Sequence, residues 1–223
     1  MQSPRQTKWL IDRPVIVIGV GGHAKVVLAS LHALDAHVLT LVDEDPQLIG
    51  AELLGCRVTG GDDSVFSHNP SDVLLVNGLG SIDRPTSRCG VFQRMKERGY
   101  RFATVVDPRA IISVDVGLGE GSQVMAGAVI QPGCRLGINS IVSTRASVDH
   151  DCIIGAHAHV APGAVVSGGV RIGEFAHIGA GAVIRQYVSI GQRSLVGIGA
   201  AVVTDVPAGT TVVGVPARPL IRA

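Results

Sequence analysis

Residues 148–172 read VDHDCIIGAHAHVAPGAVVSGGVRI. Val148, Ile154, Val160, Val166 and Ile172 stand six places apart, and four places after each of the first four comes a small or β-branched residue, Cys152, Ala158, Ala164 or Val170. A helix repeats every 3.6 residues and a strand every two, so neither explains a period of six. The aliphatic series continues outward without a break from Val106 to Val202, and the small series from Ala110 to Ala200. This is the pattern of a hexapeptide β-helix. An aliphatic points inward from a short strand, a small residue points inward at the next turn, and three hexads close one triangular coil. Coils eighteen residues apart in sequence then stack at the interstrand spacing of about 4.8 Å. Phe175 and Tyr187 both fall three places after an aliphatic, on outward turn positions.

Composition agrees with a narrow, repetitive interior. The 223 residues are 46% hydrophobic but only 3% aromatic, so the core must be built from Val, Ile and Ala rather than from ring side chains. The net charge of +1 offers no field to attract nucleic acid or an anionic membrane. No run of about eighteen apolar residues predicts a membrane span. The start, MQSPRQTKWLIDR, lacks the apolar stretch of a signal peptide. Cys56, Cys89, Cys134 and Cys152 show no CxxC spacing and read as the reduced thiols of a cytoplasmic protein. Cys134 and Cys152 occupy inward positions one coil apart, so Cys152 is a core residue and cannot join His150 around a metal.

Residues 14–105 follow a different rhythm. PVIVIG is a short buried strand, GVGGHAKVVLASLHAL a glycine turn into a helix, HVLTLVDED and DVLLVNGLG further strands, and RPTSRCGVFQRMKERG a polar helix. Alternating strands and helices predict a small parallel α/β domain of Rossmann type. Gly19, Gly21 and Ala24 fit the loose dinucleotide fingerprint, with Asp43 near the place of a ribose-binding acid. The domain is about one mononucleotide half, too small for a full dinucleotide fold. His23 and Lys25 stand in the mouth of the turn, where a pyrophosphate and sugar could sit. The expected organisation is an N-terminal extension (1–13), the α/β domain (14–105), the β-helix (106–204) and a C-terminal cap (205–223), where DVPAGTTVVGVPARPLIRA leaves the six-residue clock.

With both halves read, the chain resembles the hexapeptide-repeat sugar acyltransferases. Their members N-acetylate nucleotide-linked 4-amino sugars, as in the bacillosamine and perosamine pathways, or are assigned as sialic acid O-acetyltransferases. The resemblance rests on GVGGHAKVV (19–27), VDED (42–45), ASVDHDCIIGAHAHVAPGA (146–164), SGGVRIG (167–173) and VVGVPA (212–217). It implies a left-handed coil and a homotrimer with acetyl-CoA held between neighbouring prisms. It further implies His150 as general base, Asp151 as the acid that raises its basicity, and His159, Gly168, Ala180, Gly214 and Pro216 as the acetyl-CoA contacts, with no metal. Gly21, Gly22, His23, Asp43, Glu44 and Gly78, together with Lys25, would hold the nucleotide sugar. Two features depart from the family: NGLGS at 77–81 where IGDN is usual, and Ser143 where asparagine is frequent.

The coil geometry bears on these implications. His150 lies at one corner and His159 beyond the next, more than about 10 Å away in the same chain. The two can meet only across a subunit interface. Gly168 is eighteen places after His150 and therefore lies beside it, where a backbone amide could serve as an oxyanion donor. Asp149 could orient His150 as well as Asp151. The expected activity is acetyl-CoA-dependent N-acetylation of a nucleotide-linked 4-amino-4,6-dideoxy sugar by direct attack of the amine. O-acetylation of a sialic-acid-like sugar and non-catalytic nucleotide-sugar binding are the alternatives.

Overall fold

The computed structural model describes residues 11–81 and 85–220, so most of the expected N-terminal extension lies outside the described residues. The chain divides into two compact units, Met1–Pro108 and Arg109–Ala223.

In the first unit, β1 (Val15–Ile18), β2 (Val38–Val42), β4 (Cys56–Gly60) and β5 (Leu74–Asn77) run parallel, and β3 (Glu52–Leu53) pairs antiparallel with β4. The order is β3-β4-β2-β1-β5. β1 is buried at all four residues, as a central parallel strand covered on both faces must be. Helix α1 (Gly22–Ala33) turns Ala24, Val27, Leu28 and Leu31 to the core at helical spacing. Helix α2 (Pro85–Glu97) is polar in composition but buries Val91, Phe92 and Met95, with the Phe92 and Phe102 rings stacked at 4.5 Å. The chain leaves β1 to form β2 on one side of it, and after β4 crosses back to lay β5 on the other side. Open α/β sheets bind ligands at such a switch point, beyond the strands' carboxyl ends.

The β3–β4 hairpin turns on Leu54 and Gly55, both left-handed (φ +49° and +78°). The sequence reading did not single it out, because Leu-Gly is a poor signal for a turn that needs two positive φ angles.

The second unit is the expected parallel β-helix. Two-residue strands pair at a constant shift of eighteen, for example Val129↔Ser147↔Val165↔Val183↔Ala201. From Val124 to Val202 every aliphatic of the series is buried, as is every small residue from Val116 to Ala200. From Gly121 to Gly199 the third residue after each aliphatic is left-handed, whether glycine or not, and Asp151 (φ +58°), Phe175 and Tyr187 are among them. A side chain in that conformation costs roughly 1–2 kcal/mol. The glycine after many aliphatics has a packing cause: a Cβ at Gly137 would stand 2.5 Å from the Ala156 amide nitrogen of the next coil. The clock ends at the last coil, where Leu195 pairs with Thr211 rather than eighteen places on, and Arg218–Pro219 folds back antiparallel on Val212 and Val213.

Candidate active site

Two places after Val148 the chain turns a corner and presents His150, half exposed. The residues on either side fix it differently. Asp149 Oδ1 accepts from the His150 backbone amide at 2.8 Å, whereas Asp151 Oδ2 lies 2.8 Å from His150 Nδ1. An ionised carboxylate only accepts, so Nδ1 carries the proton and Nε2 is the basic nitrogen. The choice between the two aspartates is thereby made: Asp151 touches the ring, and Asp149 holds the backbone. The hydrogen bond to Asp151 raises the His150 pKa from its ordinary value, with Asp149 adding to it.

Nε2 faces Gly168. A Cβ there would overlap the imidazole, standing 2.7 Å from Cε1, so only glycine lets the ring lie on this part of the next coil. Gly168 is buried, and its amide has no acceptor among the described residues. A buried unpaired amide close to a basic nitrogen is an electrophilic partner for an oxyanion. Inward of the corner, Cys152 is fully buried, with its thiol donating to Ser167 O at 3.2 Å. Contact with the Cys134 thiol, together with burial, pushes its pKa up, leaving it inert as a nucleophile.

His159 lies on another face of the prism. It is 6% exposed, Ser143 Oγ is 2.8 Å from its Nε2, and the His177 ring stands edge-on at 4.8 Å. His157 is bonded to Asn139 and stacked on Phe175, which gives it a structural role. Ala180, Gly214 and Pro216 are exposed on the later coils. Among the described residues no three His, Cys, Asp or Glu side chains are grouped to hold a metal ion.

The switch point of the first unit gathers its own set. Gly21 caps α1 without a side-chain hydrogen bond, and no atom lies within 4 Å of a Cβ built at Gly21 or Gly22. The first turn of α1, with half-buried His23 and exposed Lys25, thus has open space beside Gly21 and Gly22, at a helix start of the kind that binds phosphate. Gly78 is different, because a Cβ there would stand 2.9 Å from the Ile18 and Gly19 carbonyls. Asp43 accepts from Val20 N at 2.9 Å and Asp45 N at 3.0 Å, tying the glycine loop to the end of β2. Glu44 is exposed, 3.9 Å from Arg94.

Two groups here escaped the sequence reading. Buried Arg88 donates to Asn77 O at 2.8 Å and Leu79 O at 2.6 Å, fastening the NGLGS loop to α2. Arg94 pairs with Asp62, whose carboxyl is raised to about 6 by burial against the opposing effect of that arginine. Nothing local marks either arginine in a segment that reads as an ordinary polar helix.

Family models match both units: the PglD N-terminal domain over residues 14–84 and the bacterial transferase hexapeptide repeat over 151–186. Curated protein sequences give no significant match. Solved structures do. The acetyltransferase domain of PglB from Neisseria gonorrhoeae, in complex with acetyl coenzyme A, is 38% identical, with 93% of this chain and 99% of that one covered and a TM-score of 0.87. A histidine mutant of perosamine N-acetyltransferase from Caulobacter crescentus, in complex with CoA and GDP-perosamine, is 36% identical over 96% and 99% of the two chains, with a TM-score of 0.88. WeeI from Acinetobacter baumannii is 28% identical over 93% and 100%, at 0.82. With a PglD-type α/β domain ahead of a left-handed parallel β-helix, and this identity along nearly its whole length, the chain belongs to the hexapeptide-repeat sugar acetyltransferase family.

Proposed function

We propose that the protein transfers the acetyl group of acetyl-CoA to the 4-amine of a nucleotide-linked 4-amino-4,6-dideoxy sugar. The observation that carries this is the His150 ring, bonded through Nδ1 to Asp151 and laid with its Nε2 edge against Gly168. The sugar amine gives a proton to Nε2 as its nitrogen attacks the thioester carbon. The carbonyl oxygen gathers negative charge and takes a hydrogen bond from Gly168 N–H. The C–S bond then breaks, and His150 returns the proton to the CoA sulfur. Each step needs only His150, the Gly168 amide and the two substrates. A positioned base contributes about 10²–10⁴-fold, and an oxyanion donor about 10²–10³-fold. No nucleophilic side chain is required, and Cys152 is buried out of reach.

The nucleotide sugar docks at the switch point of the α/β unit, its phosphates on the amides of Gly21, Gly22 and His23 with Lys25 nearby. The glycine at 78 serves the approach of β1 and β5, and Asp43 and Glu44 frame the far rim. Acetyl-CoA lies between two prisms, with Gly168 beside His150 on one and Ala180, Gly214 and Pro216, on the face that carries His159 and Ser143, on the other. His150 and His159 occupy different faces of one prism, which fits a homotrimer whose sites form between subunits, working in the cytoplasm where acetyl-CoA is made. Among the described residues no helix is long and apolar enough to cross a membrane.

The relatives bound to acetyl coenzyme A and to GDP-perosamine support this reading. CoA thiol release from acetyl-CoA, followed against GDP-, UDP- and dTDP-linked 4-amino sugars and against free and CMP-linked sialic acids, tests it. Turnover with an amino sugar, abolished in His150→Ala, is expected. Turnover with sialic acids alone would establish O-acetylation instead, and binding without any thiol release would establish a non-catalytic sensor.

A further inference from the structure

Gly168 is followed by a second glycine, and this one carries a ring as well. Tyr187 lies one coil above Gly169, at a left-handed turn (φ +61°), and is 71% exposed. A Cβ at Gly169 would stand 2.6 Å from Tyr187 Cε1, so the phenol is laid back across the glycine. Backbone bonds hold these coils in register: Gly169 N donates to His150 O at 2.8 Å and Tyr187 N to Gly168 O at 3.0 Å. The two consecutive glycines form a floor with His150 rising over one end from the coil below and Tyr187 descending over the other from the coil above.

We infer that Tyr187 is the donor-side wall of the site, a binding residue whose ring packs against the pantetheine arm of acetyl-CoA. The inference rests on the proposed acetyl transfer and follows from its geometry. The thioester oxygen points to the Gly168 amide, and the amine approaches from the side of His150, its base. With the amine at the His150 end of the glycine floor, the sulfur and the pantetheine arm it carries extend toward the other end, where Tyr187 stands. Below it in the same column are Gly133, Asp151 and Gly169, so Tyr187 supplies the apolar surface at this corner. The methylene and dimethyl groups of pantetheine suit an aromatic face, whereas a pyrophosphate does not.

Calorimetric titration of CoA into the intact protein, with wild type, Tyr187→Ala and Tyr187→Phe side by side, tests the assignment. It is joined by KM values for both substrates and by light scattering. Tyr187→Ala should weaken CoA binding and raise the acetyl-CoA KM about tenfold. The amino-sugar KM should hold, the oligomer should stay intact, and Tyr187→Phe should behave as wild type. A rise in the amino-sugar KM instead, equal CoA affinity in all three proteins, or lost affinity accompanied by dissociation would each overturn the inference. Failure of the wild type itself to bind CoA would overturn the functional reading beneath it.

Discussion

The β-helix and the α/β unit both set glycine at their candidate sites, but they use it under different rules. In the prism a glycine's place in the hexad announces its purpose. Directly after the aliphatic, as at Gly137, it makes room for the backbone of the next coil. Two places after, as at Gly168, it makes room for the His150 ring. In the α/β unit Gly19, Gly21, Gly22 and Gly78 carry no such label. Their purposes are set by which strand ends the topology brings together, and only the folded arrangement separates them. Periodic folds make roles legible because every contact is a fixed sequence distance away, whereas aperiodic folds hide roles in long-range pairings.

The sharpest way to break this comparison is to fill the functional glycine. Gly168→Ala places a methyl in the volume of the His150 ring, which is half exposed and free to swing outward. Unfolding stability should stay within about 0.5 kcal/mol of wild type, while kcat falls about 10²–10⁴-fold as the proposed base is displaced. Parallel thermal melts and steady-state kinetics measure both, and a variant as active as wild type would show that the ring does not work from this position. The counterpart in the other unit is Arg88→Met, which keeps bulk but strips the hydrogen bonds from Asn77 O and Leu79 O. Two carbonyls left wanting, one buried and one half-buried, should cost about 2–3 kcal/mol in denaturant unfolding. The amino-sugar KM should rise, with that for acetyl-CoA unmoved.

How much was legible divides along the same line. Val148, Cys152 and Ile154 could be placed inside, and Phe175 and Tyr187 outside, from the clock alone, and each lies where the period puts it. The pairing of His150 with Asp151 rather than Asp149 was not readable. Both acids adjoin the histidine, and the decision turns on the left-handed backbone at Asp151. In the α/β unit the strands and the glycine turn were readable as pattern, but Arg88 was not. Its burial is created by a loop nine to eleven residues away in sequence that folds back onto α2. Asp43, read as a sugar ligand, has each carboxylate oxygen bonded to a backbone amide, a use of the side chain that no local motif declares.

A smaller effect sharpens the comparison inside the α/β unit. Gly78→Ala drives a methyl between two carbonyl oxygens at 2.9 Å and should lower stability by about 1–3 kcal/mol. Gly21→Ala meets nothing within 4 Å and should leave the melting temperature unchanged. If phosphate rests on those amides, Gly21→Ala will nevertheless raise the amino-sugar KM, because the new methyl occupies the ligand's space. Equal destabilisation by both changes would erase the distinction between a packing glycine and a binding one.

The finest test concerns the two aspartates that flank His150. Asp151 raises the His150 pKa through its hydrogen bond to Nδ1, so in the wild type the proposed base becomes available only as pH climbs past that raised value. Asp151→Asn removes the charge, and the His150 pKa falls. The acidic limb of the kcat/KM profile should therefore move to lower pH, while the plateau drops because the imidazole is a weaker and less firmly oriented base. Asp149→Asn retains an oxygen for the His150 amide and removes only a more distant charge. Its limb should move in the same direction by less, with the plateau nearly kept. A profile in which Asp149→Asn shifts the limb further than Asp151→Asn would assign the ring's partner to the other acid. It would also mean that the corner geometry, the most legible part of the molecule, rearranges when substrate arrives.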